Sequence, residues 1–564
     1  MLNTDRIDLA RSHRLRSQQV RESTHGDHWL KYLKASVGIT NSKQLLQITA
    51  MLPDHDPLTD IALGSTDSLL SSESNHPEIQ PQAEEILPHD ELTYDKPQEA
   101  CGVFGLIAPT GDVAKLVYFG LYALQHRGQE SAGITTFSGN SAHTHKDMGL
   151  VAQVFKEEVL QTLKGNLAVG HTRYSTTGSS RVCNAQPICV KTSQGEFALA
   201  HNGNLVNAGE LRGELLAQGH ALESTSDSEG IAFAVAEAVE SGADWQAAMI
   251  KAMRRSTGAF SLVMAMPGIL AGARDANGVR PLVLGKMNDG SYVLSSETCG
   301  LDIIGAEYIR DVAPGELVLL TVDGGIQSVN WAESQPKLCV FEMIYFARPD
   351  SVMHGDSLYT YRMRLGRRLA IESAVSADIV MGIPDSGIPA AIGFSEVSGI
   401  PYAEGLIKNR YVGRTFIQPT QAMRESGIRM KLNPLKDVLQ GKRVIVIDDS
   451  IVRGTTSRKI VRALREAGAK EVHMRISSPP VTHPCFYGID TDSQDHLIAA
   501  TNSVEAIAKL IEVDTLAYLS NDGMLQATAT DTQNFCTACF TGKYPIPVPD
   551  QLKRTKLILE TAAP

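Results

Sequence analysis

The chain has 564 residues and a formal net charge of −11, with 43% hydrophobic and 20% charged residues. At roughly 100–200 residues per domain this length predicts two to four domains, and the acidic balance argues against a nucleic-acid or membrane-surface partner. Because we find no apolar run long enough for a membrane helix and no apolar signal region near the start, we expect a cytoplasmic protein.

The first 100 residues differ in composition from the rest of the chain. Between Glu73 and Glu99 the sequence has eight acidic residues and a single lysine, Lys96, together with four prolines. Such a polar, charged stretch buries too little apolar surface to offset the entropy of folding. We therefore predict that residues 1–100 form a disordered leader or propeptide.

Short apolar segments begin at Cys101 and are separated by Gly, Asn and Asp turns. Helical patterns lie between them at 112–126, 208–218 and 226–254. Many strands with a few long helices are typical of a layered α+β domain. We place this domain at residues 101–335, ending in a polar segment.

From about residue 340 helices alternate with fully apolar strands. The runs ADIVMGIPDSG and KRVIVIDDS each end in acids, and the first ends in glycine as well. Continuous apolar strands favour a parallel sheet covered on both faces, and such sheets bind ligands at the carboxyl ends of their strands. We place this second domain at residues 336–550, followed by a tail at 551–564.

The strongest single motif is VIVIDDSIVRGTTS at 444–457. Two adjacent acids at a strand end, Asp448 and Asp449, need a partner that offsets their charge, and ribose hydroxyls with Mg²⁺ would do so. An Asp–Asp turn followed by an ordinary helix cap would explain the acids and the cap separately, but the whole combination is far rarer. The loop that follows offers hydroxyls, backbone N–H groups and a helix N-terminus to a phosphate: Arg453, Gly454, Thr455, Thr456 and Ser457.

Two further segments accompany this motif. The loop IPDSG at 383–387 also follows an apolar strand, and the segment 406–433 is basic within an acidic chain, which favours a diphosphate clamp over a solvated loop. Together these segments resemble the type I phosphoribosyltransferases. The resemblance implies that Asp448 and Asp449 bind the ribose and Mg²⁺, with Ser386 near the metal, and that the 453–457 loop binds the 5′-phosphate. It adds further residues to the phosphoribosylpyrophosphate (PRPP) site: Asp385, Ser386, Lys408 and Arg414.

Cys101 opens the first folded segment, CGVFG. Most free cysteines are small buried core residues. A cysteine at a new N-terminus, however, has its own base, because an α-amine with a pKa of about 8 is partly neutral near pH 7. The leader ending at Ala100 would then be a removable piece.

Three other motifs in this domain offer groups that could hold an amino acid and its tetrahedral intermediate. Arg173 could bind the α-carboxylate and Asp227 the α-ammonium, while Asn202 and the Gly203 amide could stabilise an oxyanion. With HRGQESAG at 126–133, this set resembles the class II, N-terminal-nucleophile glutamine amidotransferases, and the resemblance implies an αββα fold for this domain. We interpret four nearby residues as structural, the last two as hydrogen-bonding core residues: His126, Arg127, His171 and His201.

A glutaminase followed by a phosphoribosyltransferase resembles the glutamine phosphoribosylpyrophosphate amidotransferases, with GARDANGVRPL, FEMIYFARPDS and ISSPP as further matches. The resemblance covers about 95–550 and implies the first committed step of purine synthesis. In that reaction PRPP, glutamine and water give 5-phosphoribosylamine, glutamate and diphosphate. A Cys101 thioester would release ammonia that travels internally. A homotetramer and feedback inhibition by purine nucleotides are also implied.

Four of the eight cysteines match the positions that hold a 4Fe–4S cluster in one branch of this family: Cys339, Cys485, Cys536 and Cys539. On chemistry alone, four thiolates suit Zn²⁺ and an iron–sulfur cluster equally, and only the resemblance favours the cluster. We expect Cys183, Cys189 and Cys299 to be inert.

Two other functions would share part of these motifs. Another N-terminal-nucleophile amidotransferase, such as a glucosamine-phosphate synthase or an asparagine synthetase, would leave the VIDDSIVRGTTS loop unexplained. A non-enzymatic PRPP-binding regulator would leave Cys101 with Arg173, Asn202 and Asp227 unexplained.

Overall fold

The computed structural model describes residues 101–549, except 176, 177, 322, 324, 410–431, 490 and 492, together with Leu559. The predicted leader, the basic segment around Arg414 and nearly all of the predicted tail lie outside the described residues. The described residues belong to one compact unit. Among them, no helix is both long and apolar enough to span a lipid bilayer.

Two antiparallel sheets form the centre of the first half. Their strands are β1 (Gly102–Ile107), β2 (Ser131–Ser138), β3 (Ser141–Met148), β4 (Leu167–Arg173), β5 (Ile188–Thr192), β6 (Gly195–Leu205), β7 (Gly258–Met266), β8 (Ile269–Arg274), β9 (Val283–Lys286), β10 (Tyr292–Ser295), β11 (Glu307–Asp311), β12 (Glu316–Thr321) and β13 (Ile326–Asn330). One sheet has the order β11-β9-β10-β1-β4-β2-β3 and the other β13-β12-β8-β7-β6-β5.

The two sheets pack face to face. In β1, alternate side chains point to opposite faces: Val103 and Ile107 join the core between the sheets, while Phe104 and Leu106 join the core under the helices. Gly105 lets the sheets approach, because a Cβ there would lie 2.5 Å from a methyl carbon of Val263.

Helices cover the outer faces of both sheets. They are α1 (Ala114–Ala123), α2 (Val151–Val154), α3 (Glu157–Thr162), α4 (Ala208–Ala217), α5 (Asp227–Glu240), α6 (Trp245–Arg255) and α7 (Thr298–Asp302). The single helix predicted at 226–254 is wrong, since the chain turns between α5 and α6. Gly242 has a φ of +92° there, and Asp244 caps α6 by accepting from Ala247 N at 2.7 Å. The layers are αββα, as the resemblance implied.

The first strand of the second half contains Cys339, and this half is built around a parallel sheet. Its strands are β14 (Leu338–Cys339), β15 (Val352–Met353), β16 (Asp356–Ser357), β17 (Ile379–Gly382), β18 (Leu406–Lys408), β19 (Leu432–Pro434), β20 (Arg443–Asp448), β21 (Glu471–Ile476), β22 (Thr515–Tyr518) and β23 (Phe535–Cys536). The main sheet has the order β17-β20-β21-β22, with all of its pairs parallel, which confirms the predicted architecture.

Hydrophobic cores lie on both faces of this sheet, one including Ile445 and Ile447 and the other Val444 and Val446. The helices of this half are α8 (Leu358–Glu372), α9 (Ile388–Ser398), α10 (Lys436–Leu439), α11 (Thr455–Glu466), α12 (Ile498–Thr501), α13 (Val504–Leu510), α14 (Asn521–Gln526) and α15 (Ala538–Thr541), with a π-helical turn at Glu342–Phe346.

Candidate active sites and a four-cysteine cavity

The first site surrounds Cys101, which precedes β1 and is buried. Its thiol donates to the Tyr174 carbonyl at 3.3 Å. Burial raises the pKa of this thiol above its ordinary value, so a nearby base is needed to form the thiolate nucleophile. The residues that line the cavity with it are Arg173, Tyr174, Gln186, His201, Gly203, Ser226, Asp227 and Ser228.

The structure thus brings together three of the predicted glutamine-site residues with Cys101. Arg173 lies at the end of β4, Gly203 near the end of β6, and Asp227 at the start of α5. Arg173 and Gly203 come from different sheets, and the strands that carry them, β4 and β6, contact each other where the sheets pack. These residues therefore reach one cavity although they are far apart in sequence.

Asp227 is held as a carboxylate. Burial alone would raise its pKa, but the His201 ring and the backbone N–H groups of Leu205 and Ser228 lower the pKa below its usual value. Leu205 N donates to Asp227 Oδ2 at 2.9 Å. A buried carboxylate of this kind can pair with an ammonium group.

The fourth predicted glutamine-site residue, Asn202, is fully buried in β6. Among the described residues, neither its amide nitrogen nor its amide oxygen has a hydrogen-bond partner. Buried polar atoms are normally satisfied. Asn202 is not among the residues that line the cavity with Cys101, so its role at an oxyanion stays a prediction.

Arg173 was predicted to bind the α-carboxylate of glutamine, but in the structure its guanidinium already has several protein partners. Its guanidinium donates to Ser175 Oγ at 3.0 Å and to the carbonyls of Ser179 and Gly178 at 3.2 Å each. It therefore also holds Ser175, Gly178 and Ser179, which follow β4.

Gln186 is a cavity residue that the sequence did not indicate. It accepts from His201 N at 2.8 Å and donates to Ser228 Oγ at 3.0 Å. His201 Nδ1 lies 3.1 Å from Ser228 Oγ, as expected for a hydrogen-bonding core residue. No local pattern distinguishes Gln186 from an ordinary loop glutamine.

The second site lies at the carboxyl edge of the parallel sheet, where the neighbouring strands β17 and β20 end. Asp448 and Asp449 are both buried. Asp449 accepts from Ser386 Oγ at 2.5 Å and from Ser450 Oγ at 2.6 Å. Lys408 Nζ pairs with Asp385 at 2.5 Å. The structure therefore places both predicted loops side by side.

The loop after the acid pair leads into α11. Gly454 has a φ of +81° and precedes its first residue, Thr455, so that Thr455, Thr456 and Ser457 form the first turn. Arg453 directly precedes this turn. The predicted phosphate loop thus lies at a helix N-terminus next to the acids, while Arg414 falls outside the described residues.

Arg362 is a residue of α8 that sequence reasoning missed here. Burial lowers its pKa to about 10, and Asp449 is the strongest opposing influence. Its side chain donates to the carbonyls of Met343 at 2.9 Å and Ala347 at 2.7 Å. It therefore lies between the acid pair and the π-helical turn.

A third cavity contains all four of the cysteines that were predicted to bind a cluster. Arg280, Phe341, Tyr487 and Tyr544 also line it, with the thiols of Cys339, Cys485, Cys536 and Cys539. Cys339 and Cys536 are paired neighbours in the parallel β14–β23 pair. Burial raises the pKa of Cys339 to about 11.

The four thiols share one cavity and offer donors for a metal centre. Within the described residues, no three His, Cys, Asp or Glu side chains are arranged to hold one metal ion. The four cysteines surround a common space from separate segments of the chain, and four thiolate donors suit either Zn²⁺ or an iron–sulfur cluster on their chemistry alone. The remaining cysteines differ: Cys299 is buried elsewhere, and Cys183 and Cys189 are exposed.

Comparisons with known proteins agree with both halves. A model of the glutamine amidotransferase domain matches residues 171–302 and one of the phosphoribosyl transferase domain matches residues 362–477. An amidophosphoribosyltransferase of Synechococcus elongatus is 69% identical over 471 residues, covering 83% of this chain and 95% of that protein. One from Mycobacterium bovis is 48% identical over 521 residues, covering 90% and 95%.

A solved structure also matches. It is a glutamine PRPP amidotransferase from B. subtilis in complex with ADP and GMP. It is 47% identical with a TM-score of 0.75, and the match covers 80% of this chain and 98% of that one.

Proposed function

The chain belongs to the amidophosphoribosyltransferase family, whose enzymes catalyse the first step of purine biosynthesis, and we propose which of its residues perform the reaction. The observation that carries the proposal is the convergence of Cys101, Arg173, Gly203 and Asp227 on one cavity. Neither a non-enzymatic regulator nor another kind of N-terminal-nucleophile amidotransferase accounts for this family membership.

In the proposed first half-reaction, Cys101 attacks the side-chain amide of glutamine. Its own α-amine, freed by cleavage after Ala100, takes the thiol proton and returns it to the leaving ammonia. Asn202 and the Gly203 N–H stabilise the oxyanion. Arg173 binds the glutamine carboxylate and Asp227 its ammonium. Water then hydrolyses the γ-glutamyl thioester to glutamate.

In the second half-reaction, ammonia moves within the protein and attacks the anomeric carbon of PRPP, with diphosphate as the leaving group. Asp448 and Asp449 hold the ribose hydroxyls, and the backbone and hydroxyl groups of the 453–457 loop hold the 5′-phosphate. Asp385, Lys408 and Arg414 belong to the diphosphate side of the site. A bound Mg²⁺, near Ser386 and the acid pair, would neutralise charge on the diphosphate.

We assign these half-reactions to domains at 101–335 and 336–550, with a leader before them and a tail after them. The four-cysteine cavity would hold a 4Fe–4S cluster with a structural role, which puts the chain in the iron–sulfur branch.

Purine nucleotides are proposed as feedback inhibitors, since the similar B. subtilis structure is a complex with ADP and GMP. A homotetramer is proposed for the assembly by family resemblance.

The test begins with the intact mass of anaerobically purified protein, which should correspond to a chain starting at Cys101. Cys101→Ala should abolish glutamine-dependent synthesis and leave ammonia-dependent synthesis intact, since free ammonia bypasses the first site. Cys299→Ala, at a buried thiol outside the cavity, is the matched control and should keep both activities. Glutamine hydrolysis that persists in Cys101→Ala would contradict the proposed nucleophile.

A further inference from the structure

A short segment of the second half, Cys485–Gly488, packs directly against the end of β6 in the first half. A Cβ added at Gly488 would lie 2.8 Å from the carbonyl carbon of Gly203 and 2.9 Å from its Cα and oxygen. Beside this contact, Asn204 Nδ2 donates to the Phe486 carbonyl at 3.0 Å, and the bond is buried. Two main chains therefore touch with no side chain between them.

The same segment is fastened to the four-cysteine cavity. Cys485 itself lines the cavity. Just before it, Thr482 N and His483 N donate to the Cys539 carbonyl at 3.0 and 3.1 Å. Just after it, the Tyr487 carbonyl accepts from Arg280 Nε at 2.9 Å, and the Tyr487 hydroxyl donates to the Ile546 carbonyl at 2.5 Å. Hydrogen bonds from residues that line the cavity thus hold the segment on both sides of Cys485.

Gly203 has little freedom of its own to adopt another position. Its φ is +148°, a conformation that glycine alone adopts readily. On its other side, a Cβ would lie 2.0 Å from the Ala259 carbonyl oxygen of β7. The Gly203 peptide is therefore held between β7 and the segment from the second half.

We propose that Cys485–Gly488 is a positioning element for glutamine hydrolysis, and that the four-cysteine site serves the reaction by anchoring it. The inference rests on the proposed role of the Gly203 N–H as an oxyanion donor. Such a donor acts only when it lies about 2.7–3.1 Å from the developing oxyanion. A displacement of about 1 Å at a reacting centre can cost roughly 100-fold in rate.

Two variants disturb the contact between Gly488 and Gly203 in different ways. Gly488→Ala inserts a methyl group against Gly203, and Asn204→Ala removes the buried hydrogen bond to Phe486. The matched control is Gly242→Ala. Gly242 has a φ of +92°, close to the +99° of Gly488, but nothing lies within 4 Å of a Cβ added there. It therefore reproduces the backbone strain without the contact.

The measurements are kcat and KM for glutamine hydrolysis, ammonia-dependent synthesis, and iron content. In Gly488→Ala and Asn204→Ala we expect kcat for glutamine to fall by about 10-fold or more, with KM changed by less than about threefold, since the donor acts in the transition state. Ammonia-dependent synthesis and iron content should match the unsubstituted enzyme, and Gly242→Ala should match it throughout.

Kinetics in both variants equal to those of Gly242→Ala would overturn the inference. A parallel loss of glutamine- and ammonia-dependent activity would also overturn it, since that pattern indicates general damage to the fold. If Gly488→Ala does not fold, Asn204→Ala decides the question alone. Cys101→Ala separates this inference from the proposed function. If Cys101→Ala still hydrolyses glutamine, the proposed nucleophile is wrong. If Cys101→Ala is inactive and Gly488→Ala has normal kinetics, only the positioning role is wrong.

Discussion

Arg127 and Glu342 form a two-point ion pair across the two catalytic halves, with Nη2 at 2.8 Å from Oε1 and 3.0 Å from Oε2. Neither side chain is exposed to solvent. Arg127 also donates from Nε to the Cys101 carbonyl at 3.1 Å, and Glu342 also accepts from Arg280 at 2.9 Å. The main chain at the proposed nucleophile is thus tied to the first turn of the second half.

Removing the carboxylate should strongly destabilise the protein. Glu342→Ala leaves the guanidinium groups of Arg127 and Arg280 buried and short of a partner, and breaking such a pair costs about 3–5 kcal/mol. The control is Glu237→Ala, because Glu237 pairs with Arg255 at 2.7 Å but is 25% exposed, and such pairs contribute at most about 1 kcal/mol. Urea denaturation of both variants compares them, and equal losses would show that burial of the pair does not matter.

Much of the fold and of the PRPP site was predictable from the sequence, because the motifs that form them are local. The strand, acid pair and loop at 444–457 specify their own geometry, and the alternation in β1 follows from its pleat. The partners of Arg127 were not predictable, because Glu297 and Glu342 reach it from distant segments and no local pattern marks either residue. Gln186 was missed for the same reason.

The break between α5 and α6 was missed for a different reason. The apolar pattern of 226–254 continues on both sides of the turn, because both helices bury a face against the same core. Only Gly242 and the capping Asp244 indicate the turn, and a single glycine or aspartate is a weak signal beside a long helical periodicity.

The buried ring of His171 should make stability depend on pH. Burial lowers its pKa to about 3 from an ordinary 6.5, helped by Arg173, His201 and Lys146 and opposed by the hydrogen bond with the His201 carbonyl. Below pH 6.5 the unfolded chain therefore binds a proton that the folded chain does not. This contribution to stability is complete above pH 6.5 and is lost as the pH falls toward 3.

The thermal midpoint should therefore fall less steeply in His171→Gln than in the unsubstituted protein between about pH 7 and pH 4. His143→Gln, at an exposed position in β3, should keep the original slope. Parallel curves for His171→Gln and the unsubstituted protein would show that the ring does not resist protonation in the fold.

Asp449 should be essential for use of PRPP. Its carboxylate is buried and accepts from Ser386 and Ser450, so Asp449→Asn removes the charge that we propose to hold the ribose hydroxyls and Mg²⁺ while it keeps the shape of the side chain. We expect ammonia-dependent synthesis to fall by about 100-fold or more. Asp437→Asn, at an exposed position in α10, should have no effect. A small change in Asp449→Asn would place the ribose and metal elsewhere.

The four-cysteine cavity should bind iron and inorganic sulfide. Its thiols come from β14, β23, α15 and the 485–488 segment and face one space. The loss of one thiol should weaken binding, because all four thiolates are needed as ligands of a cluster. Cys339→Ser, purified anaerobically, should therefore lose most of its iron and sulfide, together with their visible absorption. Cys299→Ser changes a buried thiol outside the cavity and should retain all three. Zinc without sulfide in the unsubstituted protein would replace the cluster by a single-metal site, and absence of any metal would leave the convergence of the four thiols without a function.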